Sequence, residues 1–393
     1  MSASTSDKAA NAAASAAATS QMEGVAARRI ALEVLARVED EGAYSNLILS
    51  KVLDGSGLGQ QDRGFATDLV YGSLRHQRAC DHLIDRFLSS DPPPAARRVL
   101  RLGAYQLAYR EDIPDYAAVG TTVEAAPKRF RGLTNAVLRQ VTRSKIEFPD
   151  LPTELSYPDW IYEQLVTDLG QDRAVGALRN MNSSAEATHR ADGYTQDLAS
   201  QWVVELLAVQ PGELVIDLCA APGGKATGCA AAGGVVIAAD LQPHRVDLIV
   251  ENASRLGLND LLPMVGDALH PGIRPHSADL VLLDAPCSGL GVLRRRPDAR
   301  WRVDSEAPQR LASLQRDLVD AAVGLLAPGG RLAYSVCTLS SVETTGVDEY
   351  IQQKYPELEA LPPPAEPWQP WGRGAILLPQ AEDTDGMCLF VYS

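Results

Sequence analysis

The spacing of apolar residues changes character about halfway along the chain. Over residues 25–53 apolar positions, among them Ile30, Val34, Leu35 and Val38, recur at helical intervals. A second helix is expected from Gln60 through Phe65, Leu69, Val70 and Leu74, and a third over about 80–88. Beyond the break at Pro92-Pro93-Pro94 a fourth runs through Val99, Leu102, Tyr105 and Leu107, and two more cover 117–126 and 133–142. No strand pattern occurs before residue 150, so residues 23–147 predict an all-α domain with its own core. Residues 148–195 form a connector interrupted by Pro149, Pro152 and Pro158, with a helix expected over 160–178 and a polar, aperiodic run over 183–192. From residue 196 the pattern alternates. Short apolar runs at 214–218, 235–239, 262–265, 279–283 and 332–336 read as buried strands. Helices are expected over 243–256, 306–326 and 342–354, and two short strands near Ile376 and Leu389. This alternation predicts a parallel doubly wound sheet in residues 196–393, so the chain reads as multidomain, α followed by α/β.

At 393 residues, 46% hydrophobic and 22% charged, the composition is that of a soluble globular protein with two or three domains. No apolar run approaches the roughly 20 residues of a membrane span. Residues 1–22 are mostly Ala, Ser and Thr without a basic start and Leu-rich core, and are expected to be a disordered tail, not a secretory signal. The six cysteines, Cys80, Cys219, Cys229, Cys287, Cys337 and Cys388, form no C-x-x-C pair, which argues against a zinc site, a redox dithiol or a disulfide framework. Reduced thiols in a cytoplasmic monomer without a metal are the expectation. A net charge of −14 argues against wholesale coating of nucleic acid. It leaves room for a local basic face, and Arg97, Arg98, Arg101, Lys128, Arg129, Arg131, Arg139, Arg143 and Lys145 are candidates to meet phosphate.

The chemistry gathers around residues 214–225. An apolar strand runs to Asp217 and Leu218. Cys219, Ala220, Ala221, Pro222, Gly223, Gly224 and Lys225 follow, then small residues suited to a helix packed close to the sheet. Strand, glycine turn and helix open a nucleotide-type binding fold. The spacing fits neither G-x-G-x-x-G nor the phosphate loop G-x-x-x-x-G-K-[ST]. Ligands of such sheets lie beyond the carboxyl ends of the strands, where Asp217, Asp240, Asp267 and Asp284 recur. Asp240 stands at the distance from the turn at which an acid meets a ribose diol, and Asp267 is suited to an adenine amino group. An adenosine without a phosphate clamp is implied, and S-adenosylmethionine fits, because its sulfonium and amino-acid tail need no anion cradle.

Two thiols share that edge. Asp284-Ala285-Pro286-Cys287-Ser288-Gly289 follows the fourth strand and Tyr334-Ser335-Val336-Cys337-Thr338 ends the fifth. A thiolate beside a methyl donor suits methylation of carbon 5 of cytosine. Addition of the thiolate to carbon 6 makes carbon 5 enamine-like, an acid such as Asp284 can hold ring nitrogen 3, and a base must remove the carbon 5 proton before elimination. Spacing alone leaves Cys287 and Cys337 as alternative nucleophiles.

The chain resembles the bacterial Sun/Fmu (RsmB) family of small-subunit ribosomal RNA cytosine-5 methyltransferases. Residues 217–225, 284–289 and 334–338 are similar to its main motifs, as are Arg295-Arg296-Pro297-Asp298 with Trp301, and Thr384-Asp385-Gly386. The N-terminal helices, including Thr134-Asn135-Ala136-Val137-Leu138-Arg139, resemble its NusB-like RNA-binding domain. The resemblance implies a NusB-like bundle followed by a Rossmann-like class I methyltransferase sheet, S-adenosylmethionine as cofactor and 16S ribosomal RNA as partner. It assigns Cys337 as nucleophile, Cys287 to product release, and residues 219–225 with Asp240, Asp267 and Asp284 to the cofactor. DNA cytosine methyltransferases attack instead with the Cys of Pro-Cys, here Cys287. Several tens of residues of the family pattern are missing between Met181-Asn182 and Gly193-Tyr194, which keeps a non-catalytic RNA-binding or assembly role as the alternative. Ala226 stands where Thr is usual, and Met387-Cys388 where aromatics are. Arg294, Arg295, Arg296, Arg300 and Arg302, close behind Cys287, are expected to form a phosphate-contact loop beside a flipped-out base.

Overall fold

A computed structural model describes residues 24–393; the tail expected over residues 1–22 lies outside them. The chain divides into two compact units, one holding the described residues up to Asp159 together with Arg296–Trp301, the other Trp160–Arg295 with Arg302–Ser393. The main division falls between Asp159 and Trp160.

The first unit is all helical. After α1 (24–40) come α2 (Ser45–Asp54), α3 (Gln60–Arg75), α4 (Gln77–Asp85), α5 (Pro94–Tyr109), α6 (Asp115–Ala125), α7 (Arg131–Val141) and the short α8 (Leu151–Leu155). The continuous period over 25–53 is broken into two helices where Gly42 takes a positive φ of 67°. Leu69, Val70, Leu100, Leu102 and Leu138 are fully enclosed in one core with Val34 and Leu35. Gly103 makes room for Leu138, whose Cδ1 would lie 2.3 Å from a Cβ at that position.

Three cations expected to face phosphate are committed to carboxylates in this unit. Arg97 pairs with Asp81, Asp85 and Asp91 at 2.6–3.0 Å, Arg98 with Glu39 and Asp40, and Arg101 with Asp81 and Glu39. Arg131 donates to the carbonyls of Ala126 and Glu124. Lys128, Arg129, Arg139, Arg143 and Lys145 are exposed, and among the described residues their only carboxylate contact is Lys145 with Glu147 at 4.0 Å. The basic face therefore shrinks to the region of α7. The isolated segment 296–301 is knitted into the same unit. Buried Arg300 donates to the carbonyls of Arg75 (3.1 Å) and Ser156 (3.3 Å) and lies 4.0 Å over the Tyr157 ring, while the Trp301 indole donates to Leu74 O.

In the second unit α9 (Asp159–Leu169) and α10 (Gln171–Asn180) replace the single helix expected over 160–178, because Gly170 turns at φ 82°. Then α11 (Leu198–Leu207), capped by the Asp197 side chain on Ala199 N, leads into the sheet. Its strands are β1 (Leu214–Asp217), β2 (Val235–Asp240), β3 (Leu261–Val265), β4 (Ala278–Asp284), β5 (Leu326–Val336), β6 (Gln369–Trp371), β7 (Gly374–Leu377) and β8 (Met387–Tyr392). The order is β3-β2-β1-β4-β5-β8-β7-β6. The first five are parallel and joined through α12 (Gly224–Ala231), α13 (Pro243–Leu256) and α14 (Ala307–Val323). The last three each run antiparallel to their neighbours, so the parallel sheet expected from the alternating strands is extended into a mixed one by the tail, whose strand direction the sequence left open. The physical reason is connection length: β6 and β7 are separated by Gly372-Arg373 alone, too short for the crossover a parallel pair needs. After β5, α15 (Thr345–Lys354) packs against α14.

Candidate active site

β1 carries Val215 into a core shared with Val236, Leu280 and Leu282, buries Ile216 as well, and ends on Asp217. The chain then turns through residues 218–223. Gly223, at φ 103°, caps α12, and a Cβ there would lie 3.4 Å from the Ile249 backbone. Side chains from β2 and α13 hold this loop. Asp240 Oδ2 accepts from Ala221 N (3.3 Å) and pairs with Arg245 (3.3 Å). Arg245 donates to Ala221 O and Asn252 to Pro222 O.

Asp217 is 1% exposed. Its Oδ1 accepts from Cys219 N, while its Oδ2 has no partner among the described residues. Burial first, then the negative charge of Asp284, pushes its carboxyl up to about 8. Lys225, on the first turn of α12, reaches Asp284 at the end of β4 with Nζ 2.7 Å from Oδ2. Burial works against its charge, but Asp284, Cys337 and Asp217 outweigh it and hold the ammonium above its ordinary range. Asp267, beyond β3, is half exposed and accepts from Leu269 N.

β4 and β5 are neighbours, with Asp284 opposite Ser335. The loops leaving them bring the two thiols into contact, Cys287 Sγ to Cys337 Sγ 3.3 Å. Cys287 is held well above the usual thiol range, first by its hydrogen bond to Cys337, then by burial and the negative charges of Cys337 and Glu343. A third loop supports the pair from behind: Gly291 N donates to Cys337 O (3.0 Å) and Gly386 N to Gly291 O (2.8 Å). Of the other four thiols, Cys80, Cys229 and Cys388 are buried and Cys219 is partly buried. Burial pushes Cys229 up to about 12 and Cys219 further.

Asp217, Lys225, Asp284, Cys287 and Cys337 thus meet at the carboxyl edge of β1, β4 and β5, with Asp240 one strand away. Three guanidiniums expected to contact phosphate do not face outward. Arg294, 1% exposed, bonds Asp383 and Thr384 O. Arg295 bridges Asp197 (2.6 Å) and Asp385 (3.0 Å), and Arg300 is the buried group of the helical unit. A buried guanidinium is tolerated only with partners, and these have them. Arg296 is exposed and Arg302 half-buried. The sequence reading missed Glu343, a fully buried acid beside both cysteine loops. Its only signal was an acid within a run of small polar residues six positions after Cys337.

Among the described residues no group of three or more His, Cys, Asp or Glu could hold a metal ion, and no helix is long and apolar enough to cross a membrane.

Two family models match the chain: 16S rRNA methyltransferase RsmB/F over residues 204–391 and the NusB family over residues 25–143. The probable ribosomal RNA small subunit methyltransferase B of Bacillus subtilis (strain 168) is 32% identical over 438 aligned positions, which cover 93% of this chain and 98% of that one. That span exceeds the 393 residues of this chain, so the relative has segments without a counterpart here. The ribosomal RNA small subunit methyltransferase B of Thermus thermophilus is 36% identical over 375 positions, covering 86% of this chain and 90% of that one. A crystal structure of PH0851 shares the fold, with a TM-score of 0.77 at 21% identity over 94% of this chain and 98% of that one.

Proposed function

Since the chain belongs to the 16S rRNA methyltransferase RsmB/F family, we propose that it methylates carbon 5 of a cytosine in 16S ribosomal RNA, with Cys337 as nucleophile. The observation that carries this is the 3.3 Å contact of two thiols beside the Lys225–Asp284 pair.

The site suits S-adenosylmethionine. The unpartnered Oδ2 of buried Asp217 is an acceptor for a cationic amine, Asp240 is an acid at the end of β2, and Gly223 leaves the loop free of a side chain. Residues 219–225, Asp240, Asp267 and Asp284 would hold it. When bound it supplies an electrophilic methyl group on a positively charged sulfur.

The protein's own groups do the rest. The Cys337 thiolate adds to carbon 6 of the cytosine, and the displaced electron pair makes carbon 5 nucleophilic. Asp284 holds ring nitrogen 3 through this change. Once carbon 5 carries the methyl group, a base removes its proton, the double bond reforms and the carbon–sulfur bond breaks, returning the Cys337 thiolate. Cys287, kept as a thiol by its contact with Cys337, assists that release. Lys225 stabilises negative charge on Cys337, which favours it over Cys287 as the attacking sulfur. Residues 23–147 serve as the RNA-binding domain, with Lys128, Arg129, Arg139, Arg143 and Lys145 meeting phosphate. Residues 196–393 serve as the catalytic domain.

The test is methyl transfer to 16S ribosomal RNA. Cys337→Ala should abolish it, and undiminished transfer would refute the mechanism. Cys287→Ala should accumulate a covalent protein–RNA complex, and the absence of a slow-migrating adduct would remove its role in release. A second reading, an RNA-binding assembly protein that keeps the fold without turnover, is favoured by the segments missing relative to the Bacillus subtilis protein, which we assign to the stretch after α10. Turnover on ribosomal RNA excludes it.

A further inference from the structure

Glu343 lies just before α15 and is fully buried. One carboxylate oxygen, Oε1, accepts from Ser288 N (2.8 Å) and Gln315 Nε2 (3.1 Å). The other, Oε2, accepts from the hydroxyls of Ser288 and Thr338, which lie 2.8 Å from each other. Ser288 directly follows Cys287 and Thr338 directly follows Cys337. Gln315, on α14, also donates to Pro286 O (2.8 Å), the carbonyl just before Cys287. The Glu343 carbonyl is in turn held by the Tyr334 hydroxyl (2.6 Å) from β5. A buried carboxylate is costly unless its oxygens are satisfied, and every bond that satisfies this one comes from a cysteine loop or from the helix that braces it.

Resting on the reaction proposed above, we infer that Glu343 is a positioning residue: its carboxylate fastens the loop bearing Cys287 to the loop bearing Cys337 and so holds the two sulfurs in contact. It touches no reacting atom. Its negative charge acts in the same direction as the geometry, since it disfavours a second anion on Cys287 and leaves that sulfur as the thiol of the pair. A neutral group of the same shape should keep the loops in place but lose this bias, whereas a shortened acid should keep the charge but lose the reach.

The experiment compares wild type, Glu343→Gln and Glu343→Asp as full-length proteins. Iodoacetamide labelling of each thiol is followed by mass spectrometry from pH 6 to 10 without RNA, and the rate of diamide-induced Cys287–Cys337 cross-linking is measured alongside. Thermal unfolding establishes that each variant is folded. Glu343→Gln should label Cys287 at least about fivefold faster at pH 8 while cross-linking at the wild-type rate. Glu343→Asp should cross-link at least about fivefold more slowly, and its kcat for methyl transfer should fall with KM for RNA unchanged. Labelling and cross-linking that superimpose on wild type in both folded variants overturn the inference. Because neither chemical readout needs RNA or methyl donor, a wild type inactive on ribosomal RNA would sink the proposed reaction and still leave the role of Glu343 decided.

Discussion

Gly291 offers the most direct test of how the thiol loops are supported. A Cβ on this residue would sit 2.3 Å from the carbonyl oxygen of Gly386, 2.9 Å from its carbon and 3.0 Å from Cys337 O. All three neighbours are backbone atoms, so no side-chain rotation relieves the clash. Gly291→Ala must therefore push the strand entry at Gly386 away from the Cys337 loop, weakening the two backbone hydrogen bonds that join them. Overpacking of this kind costs about 1–3 kcal/mol, and each bond adds about 1 kcal/mol. Together about 3–5 kcal/mol should be lost, which for a body of roughly 150–250 residues lowers the melting temperature by about 10 °C. The protein remains folded at 25 °C, where a displacement of about 1 Å at a reacting group is enough to cost ~100-fold in rate. Thermal unfolding and methyl transfer to 16S ribosomal RNA measure both effects. Gly120→Ala, on α6 with open space around it, is the control and should be neutral or stabilising by up to about 1 kcal/mol. A Gly291→Ala protein melting within about 2 °C of wild type, with activity within about twofold, would refute the reasoning.

Other perturbations separate the parts. His76, stacked on Tyr109 with ring centroids 3.8 Å apart, is pushed down from 6.5 to about 3 by burial, then by Arg300 and Arg75. The unfolded chain therefore takes up a proton near pH 6.5 that the folded helical unit refuses until about 3, so stability is lost as pH falls through this window and is unaffected above it. His76→Phe should reduce the drop in unfolding free energy between pH 7 and 4.5 by about 2 kcal/mol, measured by urea denaturation, and an unchanged drop would contradict the assignment. Replacing Lys128, Arg129 and Arg143 together by Glu should weaken binding to 16S ribosomal RNA by at least about tenfold and flatten its salt dependence, with no change in melting temperature; equal affinity and slope would move the RNA face elsewhere.

Much of the candidate site's placement is legible in the sequence because buried parallel strands announce themselves as continuous apolar runs. Val215-Ile216, Val236 and Leu280-Val281-Leu282 do so, and the acids and cysteines that follow them fall at the sheet's carboxyl edge by topology alone. Strand direction carries no such mark, so β7 and β8 are visible as apolar segments but not as antiparallel ones, and β6, Gln369-Pro370-Trp371, has no apolar run to announce it. The helical period likewise continued across Gly42 and Gly170, where only backbone angle reveals the break. Charge is the least legible feature. Arg294, Arg295 and Arg300 look like surface cations in sequence because their partners lie far away along the chain, Asp383 and Asp385 among them. Glu343 was invisible for the same reason: nothing local says that Ser288, 55 residues earlier, will meet it.

The position of β8 has a consequence for biosynthesis. Both sulfurs, the glycine turn and all four acids have been translated before the ribosome reaches Gly386, yet β5 keeps a bare edge until residues 387–392 emerge to cover it. A nascent chain therefore holds every reactive group before it holds a finished pocket. Messages truncated upstream of Met387 should yield sticky, inert fragments, and none that modify RNA at a reduced rate.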